Sequence, residues 1–72
     1  MDPVLLEKLK KLRKQQADRM GVPAYVVFTD ATLRDMCAKR PANLEEMREI
    51  SGVGASKLER FGEIFVTAIR DY

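Results

Sequence analysis

The sequence predicts an all-α fold, a compact single-domain bundle of four to five short helices over residues 1–72. Apolar residues recur at helical spacing in two long segments, and capping residues mark where the helices begin. Only residues 25–28 have strand propensity, and a lone strand has no partner for its backbone. Because a chain of 72 residues is near the lower size limit for a stable core, a compact helical bundle is favoured.

The first helix is predicted over residues 3–20. Asp2 is a good N-cap, Pro3 suits the first helical position, and Gly21 suits the position just after the last turn. Three leucines at helical spacing form its apolar stripe, namely Leu5, Leu9 and Leu12. This helix is therefore expected to pack on the core along one face.

A connector and a second helix are predicted next. Residues 25–28 follow Pro23 and are expected to be an extended or 3₁₀ connector, because no second strand exists to pair with them. Thr29 and Asp30 cap a helix over about residues 30–39, and Pro41 ends it.

A short third helix, a turn and a long last helix complete the predicted fold. Asn43 and Glu46 form a capping box for a helix over about residues 44–49. The turn Gly52-Val53-Gly54 precedes a helix over about residues 55–71. The core stripe of that last helix consists of Leu58, Phe61, Phe65, Ile69 and Tyr72.

Gly62 lies inside the last predicted helix. Glycine in a helix interior costs up to about 1 kcal/mol relative to alanine. We therefore expect Gly62 to mark a close contact between two helices.

The composition argues against catalysis, metal binding and membrane insertion. The sequence has no histidine and one cysteine, so the commonest general base is absent and Cys37 alone cannot hold zinc or form an intrachain disulfide. The lone cysteine fits a reducing compartment. No segment approaches the roughly 18 apolar residues that a membrane span needs. We therefore expect a chain that is not itself an enzyme, with no metal site and no cofactor.

Positive charge is concentrated at the N-terminus. The net charge is +2, but residues 1–20 carry six Lys/Arg against three Asp/Glu, whereas residues 21–72 carry seven against eight. The first helix thus offers Lys8, Lys11 and Lys14 as candidate phosphate contacts. The alternative is a solvated face, since Glu7 with Lys11 and Lys14 with Asp18 are favourable i, i+4 pairs.

Two further features bear on nucleic-acid binding. A Gly-x-Gly turn at a helix N-terminus can accept a phosphate, with Lys57 adding a charge, but such a turn can also serve only to reverse the chain. The acidic residues of the preceding helix favour a structural hinge here.

Tyr25, in a loop after the basic helix, either stacks on an unpaired base or covers the small core.

Two sequence blocks together resemble those of a known family. The first is Pro23-Ala24-Tyr25-Val26-Val27-Phe28-Thr29-Asp30-Ala31-Thr32-Leu33, and the second is Gly52-Val53-Gly54-Ala55-Ser56-Lys57-Leu58-Glu59-Arg60-Phe61-Gly62. With the basic helix before them, they resemble an HRDC domain, the helicase-and-RNase-D C-terminal module. The similarity is greatest to the HRDC domain of bacterial RecQ DNA helicases, and it covers nearly the whole chain.

The resemblance implies a helical accessory module of a larger ATP-dependent 3′ to 5′ DNA helicase, whose motor domains lie upstream and use ATP and Mg²⁺. It implies weak binding of single-stranded or junction-containing DNA, in repair and recombination. The binding residues carried over are Tyr25 and Lys57, with Lys8, Lys11 and Lys14 as further candidates. It also implies a bacterial, cytoplasmic, nucleoid-associated protein, and the isolated module is expected to be a monomer.

Two other functions stay open from the sequence. Surface charge varies among HRDC domains, so this copy is alternatively a docking module that packs against the helicase core or a repair protein. A third, weaker reading is the RNA-facing HRDC domain of an RNase D-like exonuclease.

Overall fold

The structure, a computed structural model, describes residues 2–72 and contains five helices in that range. They are α1 (Pro3–Met20), α2 (Ala24–Val27), α3 (Asp30–Lys39), α4 (Leu44–Arg48) and α5 (Ala55–Arg70). Helix α1 packs against α2, α3 and α5, while α4 packs on α5. The predicted all-α bundle is therefore confirmed.

The predicted caps hold the two ends of α1. Asp2 Oδ1 accepts the amides of Val4 at 2.9 Å and Leu5 at 3.2 Å, two of the amides that have no partner within a helix. At the other end Gly21 adopts a φ of 68°, the left-handed conformation that ends many helices. The bounds predicted from the sequence are those observed.

The capping box of α4 closes one residue earlier than the standard pattern. Asn43 Oδ1 accepts the amide of Glu46 at 2.8 Å, as predicted. The Glu46 carboxylate accepts the amide of Ala42, also at 2.8 Å, instead of the amide of Asn43. The Glu46 carboxylate therefore binds the backbone one residue before the N-cap, close to where α3 ends.

The connector prediction for residues 25–28 is wrong for residues 25–27, which belong to the one-turn α-helix α2, and right for Phe28, whose backbone is extended. The amide of Val26 donates to the carbonyl of Pro23 at 3.1 Å. One helical turn directs Val27 and Phe28 into the core and Tyr25 outwards. Burial of these two side chains therefore overrides the β propensity of the segment.

The core is centred on Phe28. The Phe28 ring packs edge to face against Phe65, with centroids 4.9 Å apart, and against Phe61, at 5.8 Å. Around the three rings lie fully buried side chains from α1, α3 and α4, namely Leu5, Leu9, Leu33, Met36 and Met47. Every helix longer than one turn thus contributes to the same core.

The α5 stripe is confirmed in its middle and fails at its end. Phe61, Phe65 and Ile69 are buried and Leu58 is half-buried, but Tyr72 is 42% exposed. Helix α5 ends at Arg70, so Tyr72 leaves the helical face that points to the core. Its hydroxyl instead donates to Asp2 Oδ2 at 2.7 Å and ties the two ends of the chain together. This bond lowers the pKa of Asp2 and raises that of Tyr72.

Gly62 marks the close contact between α4 and α5. A Cβ placed on Gly62 would lie 2.9 Å from Leu44 Cδ2 and 3.1 Å from Leu58 Cδ1. The helix interior therefore accepts glycine because a neighbouring leucine occupies the space, as predicted. In residues 2–72 no helix combines the length and the apolar character needed to cross a membrane.

Candidate nucleic-acid interface

Tyr25 is the most exposed aromatic residue of the described chain. Its side chain is 66% exposed, whereas Val27 and Phe28 in the same turn are fully buried. The tyrosine hydroxyl that donates a hydrogen bond within residues 2–72 is that of Tyr72. Of the two interpretations of Tyr25, a core cover is thus excluded, and the ring is free to stack on a planar group.

Two cations of α5 lie beside the chain that enters and leaves α2. Lys57 Nζ is 5.8 Å from the centroid of the Phe28 ring, and Phe28 directly follows α2. One turn further along α5, Arg60 Nη2 is 3.6 Å from Met20 Sδ, at the end of α1. We call Tyr25, Lys57 and Arg60 the Tyr25 surface. It groups an exposed aromatic ring with two cations of α5 that contact residues on either side of α2. No hydrogen bond, ion pair or cation–π contact within residues 2–72 joins Tyr25 to either cation.

Arg13 fixes the position of α2 relative to α1. Its Nη1 donates to the carbonyl of Phe28 at 3.0 Å and to Asp30 Oδ1 at 2.7 Å. The guanidinium group holds the pKa of Asp30 below its ordinary value, first through this hydrogen bond and then through charge. Because the Arg13 side chain is only 12% exposed and bonded to the fold, we assign it a positioning role.

The three lysines predicted on α1 do not form one uniform face. Lys14 Nζ is 3.0 Å from Asp18 Oδ2, so a carboxylate balances its charge. Lys8 and Lys11 instead line a groove of about 410 Å³ between α1 and α5. None of the three has a described contact with Tyr25. Of the four candidate lysines, Lys57 is the one whose contact places it beside a residue that flanks α2.

The Gly-Val-Gly turn and the serine before it contact α3. The amide of Ser51 donates to Asp35 Oδ2 at 2.9 Å, which lowers the pKa of Asp35. Gly52 has a φ of 87°, and a Cβ there would collide with Thr32 Oγ1. The Ser51 amide is bound to a carboxylate whose charge would repel a phosphate, whereas the first amides of α5 have no side-chain cap. These contacts agree with the interpretation of the turn as a structural hinge.

Sequence reasoning missed Arg60 and the partners of the turn. Arg60 follows Lys57 by three residues, a spacing that places both on one helical face. This spacing could have identified Arg60 from the sequence. The pairing of Asp35 with Ser51 spans sixteen residues, and no local pattern predicts it.

Among residues 2–72, no group of three His, Cys, Asp or Glu is placed to hold a metal ion. Cys37 is buried, and burial raises the pKa of its thiol.

The fold and the arrangement of its surfaces define a small all-helical domain. The family model of the HRDC domain matches residues 2–69. The chain therefore belongs to the HRDC domain family, as the two sequence blocks indicated.

The similar proteins include bacterial helicases. The chain is 46% identical over 71 residues to "ATP-dependent DNA helicase RecQ" of Haemophilus influenzae, covering 99% of this chain and 12% of that protein. It is 43% identical over 68 residues to the protein of the same name from Bacillus subtilis, covering 94% of this chain and 12% of that protein. The chain thus spans about an eighth of the length of these relatives.

A solved structure has the same fold. "D. radiodurans RecQ HRDC domain 3" superposes with a TM-score of 0.89 and 39% identity, covering 93% of this chain and 88% of that one. The helical bundle described above is therefore that of a RecQ HRDC domain.

Proposed function

We propose that this chain is the accessory DNA-binding module of a RecQ-type, ATP-dependent DNA helicase, and that it binds single-stranded or partly unpaired DNA through the Tyr25 surface. The catalytic motor, with its ATP and Mg²⁺, belongs to other parts of the parent helicase. The names of the relatives support the helicase context. The module would tune which DNA structures the helicase engages in repair and recombination.

The exposure of Tyr25 is the observation that carries this proposal. A ring that is 66% exposed in a one-turn helix, next to two buried side chains, contributes little to the core. Stacking on an unpaired base would cover it, and such contacts are worth about 1–3 kcal/mol per base. Lys57 and Arg60 would supply charge for the adjoining phosphates, and Lys8, Lys11 and Lys14 are the further candidates that the resemblance named.

Binding of labelled oligo-dT, followed by fluorescence anisotropy over a range of salt concentrations, tests the proposal. With about three to five phosphate contacts, the slope of log K against log salt should be roughly −2 to −3.5. Tyr25→Ala should weaken binding, whereas Tyr25→Phe keeps the ring and should bind nearly as well as the original chain. Absence of binding at low salt, or equal losses for both variants, would contradict the stacking role.

A protein-docking role is the second candidate function, since the HRDC module is one part of a longer helicase. The groove between α1 and α5, which combines an apolar floor with lysines, is the observation that favours it.

A further inference from the structure

The α1–α5 groove is an apolar notch rimmed by positive charge. Its volume is about 410 Å³, at the small end of the range of about 300–1,000 Å³ for ligand pockets. The apolar lining comes from α1 and from α5, namely Val4, Leu12 and Ala68. Ala68 has a short side chain, so the space between the two helices is left open.

Two apolar side chains at this groove and next to it are exposed to solvent and do not belong to the buried core. Val4 is 62% exposed, although Leu5 beside it is fully buried. On α5, Ile64 is 40% exposed and lies one turn before Ala68, on the same helical face. Apolar surface therefore continues out of the groove along α5. The isolated fold leaves it in contact with water.

The rim carries two lysines that form no ion pair within residues 2–72. Lys8 and Lys11 follow Val4 by four and seven residues, so all three lie on one face of α1. The ion pairs within residues 2–72 are Arg13–Asp30, Lys14–Asp18 and Lys39–Asp35. Lys8 instead lies 5.9 Å from the centroid of the Tyr72 ring. Both ammonium groups are available to carboxylates from outside the domain.

We propose that the α1–α5 groove docks an acidic segment of a partner protein, which inserts an apolar side chain between Val4, Leu12 and Ala68 and places carboxylates beside Lys8 and Lys11. This inference does not depend on Tyr25. The two lysines favour an acidic partner, because their charges are complementary to those of carboxylates. The apolar lining favours a peptide over a nucleic acid, because an apolar side chain could cover it. A phosphate backbone would leave that floor uncovered, and the Tyr72 ring beside Lys8 is already in contact with two cations, Lys8 and Arg40.

Panning a phage-displayed library of random dodecapeptides against the domain tests this inference. Enriched peptides should combine Asp or Glu with a large apolar residue. Synthetic copies should bind less well to the double variant Lys8→Gln/Lys11→Gln, by about two- to thirty-fold if each exposed ion pair contributes as such pairs usually do. Lys14→Gln is the matched control on the same helix, since Lys14 lies outside the groove, and it should leave peptide binding unchanged.

A second variant tests the apolar floor. Ala68→Glu places a carboxylate in the notch, where it fills space and faces the two lysines. It should reduce peptide binding more than ten-fold while retaining the helical circular dichroism spectrum and the oligo-dT affinity of the original chain. A peptide that still binds to the Ala68→Glu variant does not occupy the groove, and that result overturns the proposal.

Three other results also overturn it. Panning that enriches no peptides, or enriches basic ones, contradicts the charge argument. A double lysine variant that loses oligo-dT affinity but keeps peptide affinity assigns the groove lysines to DNA phosphates. Concentration-dependent self-association that the lysine substitutions abolish would assign the groove to a second copy of this chain.

Discussion

The Gly52 turn and the Tyr25 surface show two different uses of short loops in this domain. In the turn, the contacts of Gly52 with Thr32 and of Ser51 with Asp35 are made within the fold. In the Tyr25 surface, the aromatic ring is 66% exposed, while Lys57 is half-buried against Phe28 and Arg60 contacts Met20. Gly52 and Ser51 thus serve the stability of the fold, whereas the exposed Tyr25 ring contributes little to it. Substitutions should therefore separate stability from DNA binding.

The largest effect is expected from Gly52→Ala. The left-handed backbone costs a non-glycine residue about 1–2 kcal/mol, and the collision of the new Cβ with Thr32 Oγ1 adds to it. We expect the free energy of unfolding in urea to fall by about 2–4 kcal/mol.

Two controls make the Gly52 prediction specific. Gly54→Ala should change stability little, because a Cβ at Gly54 meets no described atom within 4 Å and the backbone there is extended. In a double-mutant cycle, Thr32→Ala should recover the collision part of the loss. Equal losses for Gly52→Ala and Gly54→Ala would show that the Thr32 contact does not limit the turn.

Tyr25→Ala should produce the opposite pattern. Oligo-dT binding should weaken by about 1–3 kcal/mol, because a stacking platform is lost. The free energy of unfolding should stay within about 0.5 kcal/mol of that of the original chain, as is usual for surface substitutions. A loss of stability comparable to that of Gly52→Ala would remove the contrast between the two regions.

A smaller effect is expected for the cations. Lys57→Gln should reduce the salt slope of oligo-dT binding by about 0.7, the value for one phosphate contact on a single strand. Lys14→Gln should change the slope less, because Asp18 at 3.0 Å already neutralises this lysine. Salt titrations of both variants in parallel measure this difference. A slope for Lys57→Gln equal to that of the original chain would mean that Lys57 makes no phosphate contact.

Acid should affect the turn and the Arg13 contact, in a direction set by two aspartates. The pKa values of Asp30 and Asp35 are lowered from 3.8 by hydrogen bonds from Arg13 and from the Ser51 amide. Their charged forms therefore stabilise the folded state above pH 3.8, and this contribution is lost as pH falls through the lowered pKa values. Urea unfolding at a series of acidic pH values should show the loss, and Asp35→Asn should make it smaller. Asp71→Asn, at the exposed end of α5, is the control and should leave the pH dependence unchanged.

Much of the fold follows from local patterns in the sequence. The caps formed by Asp2, Thr29 and Asn43 and the left-handed Gly21 act over at most four residues, so the helix bounds are predictable. The stripe of Phe61, Phe65 and Ile69 likewise depends only on helical spacing. The two sequence blocks also identified the family, because their residues stand in a fixed order along the chain.

The tertiary structure alone decided how the candidate residues are grouped. Residues 24–27 form a helical turn, and the extended residue after it, Phe28, packs its ring against Phe61 and Phe65, a contact made across more than thirty residues. The same packing places Lys57 beside α2, while the orientation of α1 directs Lys8 and Lys11 towards α5. Helical spacing tells which side chains share a face, but only packing tells which element that face meets. Local patterns therefore predict four of the five helices described in residues 2–72, the caps of α1, α3 and α4, and the family. Long-range packing decides the helical turn α2 and places Lys57 beside Phe28 and Lys8 and Lys11 along the groove, because these contacts join residues far apart in the chain.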